Sequence, residues 1–201
     1  IHCELVMPGY EYTPFASLSD ETSAITVTLN SPSKSFNTAG LMQSNVICSD
    51  TEMRRRVDRV INIFEVCEVN PFGPDALVAA YNESEEWLDE LNRYLYDNYL
   101  ELKRFFAEYM PKIEVLKLEG TYLVWVDISA LEFTSDELEA KLRDEGKVYL
   151  NSGTMYGRRA GQGYMRINIA CPRSRMIDGL TRMAKVLAPY MEDDCDMGCP
   201  A

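Results

Sequence analysis

The order of apolar, turn-forming and helical segments predicts an α/β chain. It reads as the rear part of a three-layer α/β domain, then a long linking helix, then a small α+β domain at the carboxy terminus. Three observations carry this. Short β-rich runs near the start are separated by Pro-, Gly- and Ser-marked turns. Leu88, Leu91, Leu95, Tyr99, Leu102 and Phe106 recur at steps of three and four, as one helix face does. Beyond Pro111, alternating strand-like runs are interspersed with two further helical patterns. The division this predicts is 1–86, 87–191 and an acidic tail over 192–201.

The elements follow in order. Apolar patches at Leu5-Val6-Met7 and Ile25–Leu29 predict two short strands, with a loop or short helix between them. Gln43 to Cys48 predicts another strand. Ser49 or Asp50 can cap a helix running to about Val66, with Glu52 in its first turn. Asn70-Pro71-Phe72-Gly73-Pro74 is a break that opens the long helical region, and Pro111 ends it. Ile113–Leu118 and Thr121–Ile128 alternate as a hairpin around Glu119-Gly120. Thr134-x-x-Glu137 is a capping box for a helix ending near Gly146. Lys147–Leu150 and Tyr164–Ala170 predict short strands. Ser174 can cap a last helix with Ile177, Leu180, Ala184 and Leu187 on one face.

Composition narrows the function. At 201 residues, 46% of them hydrophobic, the chain can bury a real core. A net charge of −12 argues against nucleic acid or an anionic membrane as the main partner. No apolar run approaches the roughly 20 residues of a membrane span, and no signal peptide is expected. Cys3, Cys48, Cys67, Cys171, Cys195 and Cys199 form no C-x-x-C pair, and His2 is the single histidine, so a metal site is not expected. Cys48, Cys67 and Cys171 read as reduced core thiols, Cys195 and Cys199 could pair, and a reducing cytoplasm fits this usage.

The most informative stretch is Ser31-Pro32-Ser33-Lys34-Ser35-Phe36-Asn37, a lysine among hydroxyls after a β-rich run and before Thr38-Ala39-Gly40. A lysine freed of its proton is a nucleophile that can hold pyridoxal phosphate, while neighbouring hydroxyls donate to the phosphate. The plain reading is a loop lysine after an edge strand, with Ser31 and Ser33 as turn residues.

Four stretches extend this reading. They are Ile1-His2-Cys3-Glu4-Leu5-Val6 with Pro8-Gly9-Tyr10, Ser31–Gly40, Asn70-Pro71-Phe72-Gly73, and Met165–Arg173 with its R-x-N-x-A pattern. In this order they resemble the carboxy-terminal half of fold-type I pyridoxal-phosphate enzymes, in the cystathionine β-lyase (C–S lyase) branch of the class I/II aminotransferases. The resemblance implies a cofactor lying between two domains. Lys34 matches the lysine that holds the cofactor covalently and serves as general base. Ser31 and Ser33 match hydroxyls that contact phosphate, and Arg166 matches the arginine that takes the substrate α-carboxylate. His2 matches a position near the cofactor's ring hydroxyl, and its identity favours the lyase branch. Arg173 reads as a helix start, and Asn151-Ser152-Gly153 as a border of the substrate pocket. The family also implies a homodimer. Its aspartate for the pyridine nitrogen, its ring-stacking aromatic and its phosphate-binding glycine-rich turn have no match here, so the resemblance also predicts a fragment, a processed chain or half of a split protein. The expected activity is cleavage of an amino-acid thioether to thiol, pyruvate and ammonia. The alternatives are transamination, or a non-catalytic fragment that needs the missing half.

Overall fold

A computed structural model describes residues 1–192, so the acidic tail from Asp193 onward, with Cys195 and Cys199, lies outside the described residues. The chain falls into two compact units. The first holds Ile1–Arg93 and Glu119–Thr121, the second Tyr94–Leu118 and the residues from Tyr122 onward.

The first unit is built from helix α1 (Asp20–Ala24), strands β1 (Thr28–Asn30) and β2 (Asn45–Ile47), helix α2 (Thr51–Ile63), helix α3 (Gly73–Glu83) and the start of α4 (Glu85–Tyr109). Strands β1 and β2 are antiparallel, pairing Leu29 with Val46. Ser19 and Thr22 form a reciprocal capping box on α1, and the Met53 N–H donates to Asp50 Oδ1 at 2.6 Å to start α2. Leu5 and Met7 are buried. Their main chain meets 119–121: the Met7 N–H donates to the Glu119 carbonyl at 3.0 Å and the Thr121 N–H to the Leu5 carbonyl at 2.7 Å.

The second unit carries an antiparallel sheet of order β3-β4-β6-β5, made of β3 (Glu114–Val115), β4 (Leu123–Asp127), β5 (Asn151–Ser152) and β6 (Tyr164–Asn168). With it pack α5 (Ser135–Asp144), α6 (Arg173–Leu187) and the rest of α4. Alternation places Val124, Val126, Met165 and Ile167 in the core, together with Leu95, Leu102 and Phe106 of α4 and Leu180 and Leu187 of α6. One buried polar side chain pins this core. Asn98 Nδ2 donates to the carbonyls of Ile169 (3.0 Å) and Cys171 (3.1 Å), and its Oδ1 accepts from Arg173 Nε at 3.1 Å.

Several expectations shift. The strand at Leu5–Met7 is a single bridge, Val6 to Gly120, because these residues find one partner residue and not a ladder. The strand over Ile25–Leu29 contracts to Thr28–Asn30, since Ile25 closes α1 as its C-cap. Helix α2 stops at Ile63, where Glu65 turns to a positive φ of 51°. The long helical region breaks once, at Ser84, whose hydroxyl back-bonds to the Ala79 carbonyl. Leu88 and Leu91 are half-buried, not core. In the expected strand Lys147–Leu150, Lys147 takes φ 54°, and pairing is delayed to Asn151–Ser152. Ser174 lies inside α6, whose N-cap is Pro172, so it caps nothing. Cys67 is exposed and is not a core thiol, whereas Cys48 is buried and Cys171 half-buried.

Candidate active site

Lys34 sits on a compact turn just after β1. The turn is closed by two main-chain bonds, the Phe36 N–H to the Pro32 carbonyl (2.9 Å) and the Thr38 N–H to the Ser33 carbonyl (3.1 Å). Asn37 adopts φ 54°, a left-handed conformation that Asn tolerates well and that lets the chain reverse. Lys34 is exposed and has no hydrogen bond or ion pair to another described residue. No carboxylate occurs between Ser31 and Gly40.

The hydroxyls on this turn divide their work. Ser31 is buried, donating to the Gln43 carbonyl at 2.6 Å and accepting the Ser33 N–H at 3.2 Å, so it braces the turn. The Ser33 hydroxyl is half-buried and makes no hydrogen bond among the described residues. Ser35 is fully buried and donates to Glu4 Oε2 at 2.6 Å. Phe36 stacks on Trp87 (centroids 5.7 Å apart) and meets Tyr81 edge-on at 5.9 Å. The lysine therefore projects from a turn whose next two side chains are both anchored.

Glu4 lies under that turn. Burial pushes its carboxyl up, but hydrogen bonds from Ser35, its own main chain, Cys3 and Tyr81 outweigh this and hold it below the ordinary value. The same carboxylate acts on its neighbours. Burial, then the Glu4 charge, pushes the Tyr81 phenol up to about 12, and burial and Glu4 also raise the Cys3 thiol. Asn92 Nδ2 secures the Glu4 carbonyl at 3.0 Å.

His2 lies two residues before Glu4. It lines a cleft of ≈ 430 Å³ with Ile1, Tyr10, Tyr12 and Glu119, and Lys34 is not among the lining residues.

Arg166 belongs to the second unit. It occupies the third strand of the sheet, with Trp125 opposite on one side and Asn151 on the other. Its guanidinium carbon stands 4.2 Å from the centroid of the Tyr156 ring, a cation–π contact. Asn151 Nδ2 donates to the Tyr156 hydroxyl at 2.7 Å, and Trp125 meets the same ring edge-on at 5.4 Å. The Tyr122 phenol is raised by burial, an effect the Arg166 charge partly offsets. Arg166 pairs with no carboxylate of the described residues, so its fork of donors is not neutralised by the protein. Arg173, expected as a helix start, is the first residue of α6.

This donor set suits an aldehyde carrying a dianionic phosphate. An accessible amine lies one residue from an uncommitted hydroxyl on a turn without acids. Ser31, Ser33 and Lys34 are brought together, and the segment carrying His2 reaches them through Glu4 and Ser35. Sequence reasoning missed Glu4, Ser35, Tyr81 and Tyr156. The Glu4–Ser35 and Asn151–Tyr156 contacts have no motif spacing, although the run of hydroxyls around Lys34 does contain Ser35.

A family model described as "Aminotransferase class I and II" matches residues 1–182. The chain is 38% identical to a cystathionine beta-lyase, PatB, of Bacillus subtilis over 188 residues, covering 94% of this chain and 48% of that protein. Among solved structures it resembles cystalysin from Treponema denticola, which contains a pyridoxal 5'-phosphate cofactor (TM-score 0.90, 33% identity, 94% of this chain and 48% of that one). It also resembles a PLP-bound C-S lyase from Staphylococcus hominis (TM-score 0.80, 30% identity, 96% and 49%). The chain spans about half the length of the curated relatives it matches.

Proposed function

This chain belongs to the aminotransferase class I and II family, and from that premise we propose that it contributes the lysine and arginine of a pyridoxal-phosphate-dependent C–S β-lyase. The substrate is an amino-acid thioether of the cystathionine type, and the products are a thiol, pyruvate and ammonia. The observation that carries the reading is the turn Ser31–Asn37, in which the Lys34 amine and the Ser33 hydroxyl have no partner among the described residues.

When bound, pyridoxal phosphate supplies an electron sink that makes the substrate Cα–H acidic and weakens the bond from Cβ to sulfur. Lys34 Nζ holds the cofactor covalently in the resting enzyme. With substrate in the site, Nζ would be the base that takes the proton from Cα. Ser33 Oγ donates to a phosphate oxygen, a charge-assisted bond worth roughly 1.5–3 kcal/mol. Ser31 reaches the phosphate only if it gives up the Gln43 carbonyl, so its principal work is to shape the turn. His2 steadies the ring hydroxyl of the cofactor. Arg166 receives the α-carboxylate with two parallel N–H donors, a geometry that lysine does not reproduce. In the full-length protein, a homodimer in the cytoplasm is the expected setting.

The relatives called cystathionine beta-lyase and C-S lyase favour elimination, whereas the family's own description favours transamination as the second reading. Both use Lys34. The intact protein is given cystathionine, and pyruvate is measured with and without a keto-acid acceptor. Acceptor-independent pyruvate is expected, whereas no pyruvate and conversion of the keto-acid acceptor to its amino acid would establish the second reading. Lys34→Ala is expected to lower turnover by about 10²–10⁴-fold.

A further inference from the structure

The mechanism leaves one buried charge without a task. Glu4 is a half-buried carboxylate set under the turn that carries Lys34, and its hydrogen bonds keep it ionised. Its Oε2 accepts the hydroxyl of Ser35, a side chain with no exposure and the next residue after the lysine. The following residue, Phe36, is held between Trp87 and Tyr81. On the other side, the Ser31 N–H donates to Asn30 Oδ1 at 2.5 Å, and Cys3 Sγ lies 3.9 Å from that same oxygen. The turn at the start of the chain thus grips the lysine turn at two points, through Cys3 to Asn30 and through Glu4 to Ser35.

We propose that Glu4 is a positioning residue for Lys34: through Ser35 it locks the turn that carries the amine. The inference rests on the reading of Lys34 as the cofactor-holding lysine.

One consequence follows from the chemistry. A turn that can flex does not hold the amine ready to close on a carbonyl carbon, so loosening it weakens retention of the cofactor. The groups that face Glu4 are the Ser35 hydroxyl, the Tyr81 phenol, the Cys3 thiol and the Asn92 amide, so among them Glu4 is the only group charged at neutral pH.

The test uses the intact protein loaded with pyridoxal phosphate. Borohydride reduction and peptide mapping come first. A label that misses Lys34 overturns the reading of Lys34 itself, before Glu4 is in question. With the label on Lys34, Glu4→Gln separates charge from shape, because the amide can still accept from Ser35. It is expected to retain the cofactor within about twofold of the wild type, since the tether survives. It should also draw the Tyr81 phenol, followed by carbon-13 tyrosine NMR, down from about 12. Ser35→Ala removes the tether and keeps the charge, and is expected to weaken cofactor retention in dialysis about tenfold. It also decides the matter if Glu4→Gln does not fold. A folded Ser35→Ala protein with unchanged retention overturns the proposal. Lost thermal stability alone shifts neither readout.

Discussion

The proposed role of Arg166 as the carboxylate-binding residue depends on more than the arginine itself. Arg166 has a strand partner on each side, an aromatic ring against its guanidinium and no acid paired with it among the described residues. Replacing it with lysine keeps the charge and loses the fork, so Arg166→Lys is expected to raise KM for the amino-acid substrate about 10–100-fold with a smaller change in kcat. The ring contributes less. Tyr156→Leu is expected to raise KM about three- to tenfold, in line with a cation–π contact of about 0.5–1 kcal/mol at a partly exposed site. Tyr156→Phe keeps the ring, loses only the bond from Asn151 Nδ2, and should cost about twofold. The residues around Lys34 show what sequence can reveal at this scale. A lysine flanked by hydroxyls within one turn is visible because its partners are adjacent in the chain. Glu4 touches Ser35 across 31 positions, and no spacing rule reaches that far.

At the level of elements, local chemistry and the β3–β4 hairpin were readable, whereas the place of β5 beside β6 was not. The Thr134–Glu137 capping box forms in both directions, because cap and partner are three residues apart. The apolar stripe of α4 buries Leu95, Tyr99, Leu102 and Phe106 as its period requires. The break at Ser84 was hidden because neither glycine nor proline marks it. Strand β5 was misplaced because it has only two residues and its limits are set by β6, not by its own composition. Next to it, Gly153 and Gly161 pass so closely that a Cβ on either would overlap the other's carbonyl oxygen. Gly161→Ala is therefore expected to destabilise the protein by about 2–4 kcal/mol, read as a lowered urea midpoint, and to disturb the Gly153–Tyr156 turn that carries the ring against Arg166.

For the molecule as a whole, the α/β class was legible from the succession of elements, and the family from four separated motifs. The residue-level contacts that shape the candidate site were not, because tertiary packing creates them. The same contacts set a pH window. Glu4 is held below its reference value of 4.5, so the stability it contributes is present above that value and is lost as pH falls through its lower folded pKa. Tyr81 is raised from 10.0 to about 12, so its contribution is complete below pH 10 and disappears as pH rises through about 12. Denaturant titrations across pH are expected to show both edges in the wild type, and Glu4→Gln should soften both. One arrangement bears on how this protein can change. Arg166 is mounted on an interior strand that few substitutions can move, whereas Asn151 and Tyr156 lie on the sheet's short outer strand and the turn after it. Mutations in that outer segment can re-aim the guanidinium while the mount stays put, which gives selection or an engineer a way to alter substrate preference without rebuilding the interior.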